Sequence, residues 1–208
     1  MKSVHRFLLW GTIIAVLAAP AFAERKAMSW TVDGVARRGI VVYPDKQSGP
    51  APVVLAFHGH GDTNVNFAGV ELHEAWPGAI VVYPQGLPAS RDGLSGWQTE
   101  PGMDRDRDLK LVDEILVSLH KAFKVDDSRI YATGFSNGGH FSYLLWAERP
   151  QVFAAFAPVA GRIRNAVPKL PKPLLHIGGN NDHQVDFSDQ VEAMEIARMV
   201  NEIGRAHV

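Results

Sequence analysis

Short runs of uninterrupted apolar residues alternate with longer amphipathic stretches along most of this chain, and that alternation constrains the fold more than any other feature. Residues 52–57 and 79–83 are continuous apolar runs of strand length, a pattern that belongs to strands buried on both faces of a parallel sheet. Residues 129–133, 153–159 and 174–177 predict further strands, and 30–32 with 39–43 an opening antiparallel pair punctuated by Asp33-Gly34. Residues 108–123 place Leu109, Val112, Ile115, Leu116, Leu119 and Phe123 on one helical face. Helices are also expected through Phe67 and Ala75, over 137–148 and over 188–200. The expectation is an α/β fold: one doubly wound, mostly parallel sheet, covered on both faces and without internal repeats. In such sheets ligands bind beyond the carboxyl ends of the strands, which directs attention to the loops after Phe57, Tyr83, Thr133 and Ile177. Residues 84–104, rich in Gly and Pro, read as a surface loop.

The 208 residues suffice for one domain with a sizeable core. A net charge of -1 without long runs of one sign gives no reason to expect a nucleic-acid partner. There is no cysteine, which excludes disulfides, thiol catalysis and Cys-zinc sites. Residues 1–23 read as an export signal: Lys2, His5 and Arg6 precede an apolar run from Phe7 to Ala18, and Ala21-Phe22-Ala23 offers the small residues a signal peptidase reads. The run is too short to span a bilayer well. The mature domain is therefore expected over 24–201, secreted or periplasmic, with no stable membrane span after cleavage.

Gly134-Phe135-Ser136-Asn137-Gly138, followed by Gly139, carries the chemistry. A G-x-S-x-G match alone is weak, but here a strand precedes it and a helix follows. Ser136 is thus expected on the sharp strand-to-helix turn that lifts a nucleophilic hydroxyl above the sheet. Cβ atoms two positions either side would clash in so tight a turn, hence Gly134 and Gly138. The helix N-terminus behind it favours developing negative charge. The competing reading is a glycine-rich helix start with a capping serine.

His58-Gly59-His60-Gly61 directly follows the first buried strand, where an oxyanion hole would draw one of its two backbone N–H groups. His60 and Asn137 are the expected donors. A metal site built on His58, His60 and Asp62 was weighed against this; histidines at i, i+2 of a strand end diverge and no third ligand is evident, so none is expected. His58 instead reads as a structural hydrogen-bonding group. After the last strand, Asp182 is the candidate for the acid that orients a catalytic imidazole, with Asp186 as alternative and an ordinary turn aspartate as the competing reading.

Together, Ala56-Phe57-His58-Gly59, Ile80 to Gly86, Gly134 to Gly139, Phe156 to Gly161 and Gly178 to Val185 resemble the secreted polyhydroxybutyrate depolymerase and feruloyl esterase group, close to carbohydrate esterase family 1. The likeness runs from about Arg37 to Val200. It implies an α/β-hydrolase fold, cofactor-free hydrolysis of a polyester, a feruloylated or acetylated polysaccharide or a smaller ester, Ser136 as nucleophile and Asp182 as acid. Trp97 resembles an aromatic kept near the substrate in such enzymes, although a surface tryptophan without function is equally compatible with its position. Rival readings are a serine peptidase or thioesterase of the same fold, and a non-catalytic polymer- or carbohydrate-binding protein on a hydrolase scaffold.

The resemblance also demands a histidine beyond one more strand and helix, and the sequence offers none in that place. His207 follows without an intervening strand, His183 adjoins the acid, and His140 lies one turn into the nucleophile helix, where packing is the expected role. The final residues 202–208 are what GAG ATC GGA AGA GCA CAC GTC encodes, a string resembling a common sequencing adapter, so they are expected to be a non-native tail on a fold lacking its last strand and helix. Such a chain is expected to be poorly soluble and nearly inactive, because a serine hydroxyl without a base is a weak nucleophile.

Overall fold

The computed structural model describes residues 23–205. The expected export signal up to Phe22, and His207 in the tail, lie outside those residues. Strands β1 (Ala23–Val32) and β2 (Val35–Pro44) form the opening hairpin. Its two turn residues, Asp33 and Gly34, both take positive φ (49° and 79°), the twist-matched conformation that tight hairpins need. The hairpin is longer than the apolar pattern predicts, because Ala23–Ala27 of β1 and Val35, Ala36 and Arg38 of β2 are solvent-facing and leave little hydrophobic signal.

Four more strands complete the main sheet: β3 (Ala51–Phe57), β4 (Ile80–Pro84), a long strand from Val125 to Phe135, and another from Ala155 to Val159. A separate small hairpin pairs β5 (Leu87–Pro88) with β6 (Ser95–Gly96), which makes the last two main strands β7 and β8. The order is β1-β2-β4-β3-β7-β8, antiparallel through β4 and parallel from β4 onward. Residues 174–177 continue the parallel edge beside β8 through bridges Phe156–Leu174 and Val159–Ile177. Ile177 N–H donates to Pro158 O at 3.1 Å, and Ala160 N–H to Ile177 O at 2.8 Å. The expected mostly parallel sheet is therefore present, with Phe57 beside Gly134 and Phe135 beside Val159 at the strand ends.

Helices α3 (Arg107–Ala122), α4 (Asn137–Glu148) and α5 (Phe187–Arg205) pack on one face. Leu111, Ile115, Phe141, Leu145, Trp146 and Ala193 join Leu55 and Phe57 in the main core there. At roughly 25 cal/mol per Å² this apolar burial is the dominant stabilisation. Among the described residues the opposite face carries two single-turn helices, α1 (Asn64–Phe67) and α2 (Leu72–Ala75), with a 3-10 turn at Ala68–Val70 between them. The continuous helix expected there is interrupted by Glu71 in the left-handed conformation at φ 57°. Coverage of that face is accordingly partial. Val54, Tyr131, Thr133, Ala155, Ala157 and Leu175 line an open apolar groove of about 480 Å³. Among the described residues no helix is long and apolar enough to cross a membrane.

Candidate active site

β7 ends at Phe135 and α4 begins at Asn137, which leaves Ser136 alone on the bend. Its backbone sits at φ 52°, ψ −111°, a strained region for a residue with a Cβ, costing on the order of 1–3 kcal/mol. Ser136 N–H donates to Val159 O at 2.9 Å and His140 N–H to Ser136 O at 2.9 Å, so both sides of the bend are held by neighbours. A Cβ on Gly138 would lie 2.1 Å from Phe57 O, and one on Gly134 would lie 2.5 Å from Gly138 O. Crossing backbones at those distances explain both glycines. Gly139 and Gly161 pack against each other by the same logic, which lets the α4 terminus approach the end of β8.

The loop after β3 approaches the bend from one side. A Cβ on Gly96 would meet Asn137 Oδ1 at 2.9 Å and His60 Nδ1 at 3.0 Å, so one small residue brings these two side chains together. Neither His60 N–H nor Asn137 N–H donates to a protein acceptor among the described residues. The side-chain amide of Asn137 is fully used: Oδ1 accepts from Trp97 N–H at 2.7 Å and Nδ2 donates to Trp97 O at 3.1 Å.

Trp97 is not a surface tryptophan. It is 3% exposed, its Nε1–H donates to His58 O at 2.9 Å, and its ring stacks on Phe141. Trp97 is nonetheless among the residues lining the cavity with Ser136. The loop around it is likewise anchored rather than loose. Gln98 N–H donates to Asp108 Oδ2, Gln98 Oε1 accepts from the N–H groups of Asp108 and Leu109 at the start of α3, and Asp108 Oδ1 pairs with the buried Arg37 at 2.7 Å. Sequence reasoning missed this Arg37–Asp108–Gln98 chain, whose members are 10 to 71 positions apart.

His58 is wholly buried, with Nδ1–H donating to Gly59 O and Nε2 accepting from Gly86 N–H at 2.9 Å. Both ring nitrogens are committed to the loops, so it serves structure rather than a metal or a proton transfer, and burial holds its pKa below the ordinary value. His140 lines the cavity with Ser136, but its Nδ1 accepts from Arg162 N–H and its pKa is pushed down to about 3 by burial, then by Arg164 and Arg162. So weak a base is a packing group. His176 is bound to the Tyr143 hydroxyl and to Gln190 Oε1.

Asp182 follows the edge segment, in a loop whose next residues, Gln184 and Val185, line the cavity over Ser136. Its carboxylate accepts from Val185 N–H and Gln184 N–H, then from Gln190 Nε2, and these bonds hold its pKa below the usual carboxylate range. It is ionised and oriented. Asp186 instead offers its backbone carbonyl to Asp189 and Gln190 at the start of α5. Among the described residues no histidine ring hydrogen-bonds to the side chain of Ser136 or of Asp182.

A strained serine between strand and helix, glycines at both crossings and two free amides beside it define an α/β-hydrolase of the serine type. The chain belongs to the esterase family described as "Putative esterase", which matches residues 35–197. It is 32% identical over 166 residues to a bifunctional acetylxylan esterase/xylanase of Neocallimastix patriciarum, covering 76% of this chain and 23% of that protein. It is 28% identical to a probable feruloyl esterase C of Aspergillus niger, covering 70% of this chain and 54% of the other. The chain thus spans between a quarter and just over half the length of these relatives. Its fold superimposes on a ferulic acid esterase of Anaeromyces mucronatus, solved with ferulic acid, with a TM-score of 0.68 at 15% identity, covering 91% of this chain and 83% of that one.

Proposed function

We propose that this protein is a carboxylic-ester hydrolase that works through an acyl-enzyme on Ser136. The observation that carries the reading is the φ 52° bend at Ser136, flanked by the unpartnered N–H groups of His60 and Asn137. Ser136 Oγ attacks the ester carbonyl and gives its proton to an imidazole; the carbonyl oxygen becomes an oxyanion held by the two amides. Collapse expels the alcohol, which takes that proton, and water then repeats the sequence on the acyl-enzyme. Asp182 is the acid that orients the imidazole and stabilises its charged form. His60 and His140 line the cavity with Ser136, but Asp92 engages the first and Arg162 N–H the second, and no ring nitrogen of a described histidine bonds Ser136 Oγ or the Asp182 carboxylate.

Feruloyl and acetyl esters of plant polysaccharide are the favoured substrates, given the named activities of the relatives. An export signal at residues 1–23 fits action on such polymers outside the cytoplasm. Trp97 lines the cavity, and its backbone N–H and carbonyl hold the Asn137 side chain. The test is covalent labelling by a fluorophosphonate in buffer containing imidazole, mapped by peptide mass spectrometry. Adduct on Ser136 supports the reading; labelling that persists in Ser136→Ala, or none at all, rejects it.

A further inference from the structure

The cavity over Ser136 has about 240 Å³ of space, and its wall carries two cationic side chains and no carboxylate. Arg91 and Arg164 are those cations. Their environments differ. Arg91 is tied to Asp92, which also binds His60 Nε2 at 2.9 Å. Its near neighbour in the same wall, Arg164, makes no hydrogen bond and no ion pair among the described residues. The adjacent Arg162 takes the available carboxylate, Asp189, and its backbone N–H is fixed on His140. Partial burial and then repulsion from Arg162 lower the pKa of Arg164, only partly offset by Glu100. Arg164 is exposed to solvent at the cavity rim, and a guanidinium beside a like charge and without a carboxylate partner among the described residues gains from an anion delivered to it.

We propose that Arg164 selects, at the Ser136 cavity, esters that carry a carboxylate on the same molecule, such as monoesters of dicarboxylic acids or esters on uronate-bearing polysaccharide. This rests on the reading of Ser136 as the reacting centre. The neutral face of the cavity, formed by Trp97, Met103 and Val185, holds the apolar part of the substrate, and the guanidinium fork takes the carboxylate in a two-pronged contact. Thr99 and Gln184 on the same wall are neutral, which leaves the cationic side chains to discriminate.

The test is binding to the full chain, measured by ligand-observed NMR with two probes of similar size: monomethyl succinate, which is anionic, and methyl levulinate, which is not. Expected is about tenfold tighter binding of the anionic ester, as charge-assisted hydrogen bonds give. Arg164→Met should bring the two probes within about twofold of each other, and Arg164→Lys should keep part of the difference. Equal affinities in the unaltered chain, or a preference that survives Arg164→Met, overturn the proposal. Imidazole-dependent labelling of Ser136 is read in parallel. Labelling without the anion preference removes the charge selection alone, whereas the preference without labelling leaves a binding site and removes the esterase reading.

Discussion

The side-chain amide of Asn137 spans the backbone of Trp97, accepting from its N–H at 2.7 Å and donating to its carbonyl at 3.1 Å, as one strand bonds another. The first residue of the nucleophile helix is thereby fastened to the loop that roofs the cavity. Asn137→Ala retains the backbone N–H proposed for the oxyanion but frees the Trp97 segment. It should cost about 1–3 kcal/mol in urea unfolding and should weaken labelling of Ser136. Unchanged stability would show that the loop is held without the amide.

Gly138 and Gly34 test two different reasons for glycine. Gly138→Ala drives a Cβ to 2.1 Å from Phe57 O and should prevent the elbow from forming, giving aggregated or unfolded protein. Gly34→Ala meets nothing within 4 Å and suffers only its φ of 79°, a cost of about 1 kcal/mol. Thermal melts of the two variants should differ widely.

Acid sensitivity should follow from His140. Its pKa is about 3 in the folded chain against an ordinary 6.5, so the unfolded chain binds the extra proton as pH falls below 6.5. Stability is full above that value and declines toward pH 3, with a slope from this group of at most about 1.4 kcal/mol per pH unit. His58 and His176 shift in the same direction. Urea melts at pH 7.5 and pH 5 should show a smaller drop in His140→Gln than in the unaltered chain; an equal drop would contradict the assignment.

Arg37 and Asp108 form a fully buried ion pair linking β2 to the start of α3. Arg37→Met strands a buried carboxylate and should destabilise by about 3–5 kcal/mol. Adding Asp108→Leu should recover part of that loss while still loosening Gln98 and the loop behind Trp97. Comparing melting temperature with Ser136 labelling in the double variant separates stability from positioning.

The parts of the site legible in the sequence are those whose cause is local. Gly134, Ser136 and Gly138 follow from one bend between a strand and a helix, and buried strands β3 and β4 follow from uninterrupted apolar runs. Long-range polar contacts left no pattern. The Gly- and Pro-rich stretch 84–104 reads as exposed loop, yet Trp97 is buried in it because His58 O accepts its indole proton and Phe141 stacks beneath. The extent of the second helical layer was not legible for a related reason: the sheet residues beneath it are apolar whether covered or not, and Leu175 at 60% and Ile177 at 51% exposure lie on an open edge. Leu175→Glu should therefore reduce aggregation and raise the soluble yield without changing far-UV circular dichroism.

The most direct measurement is hydrolysis of p-nitrophenyl acetate with imidazole added to the buffer, comparing this chain with its Ser136→Ala variant at equal concentration. Turnover should be negligible without imidazole and, with it, should saturate and exceed that of the variant by at least severalfold. Identical rates from the two proteins at every imidazole concentration would contradict Ser136 as the nucleophile.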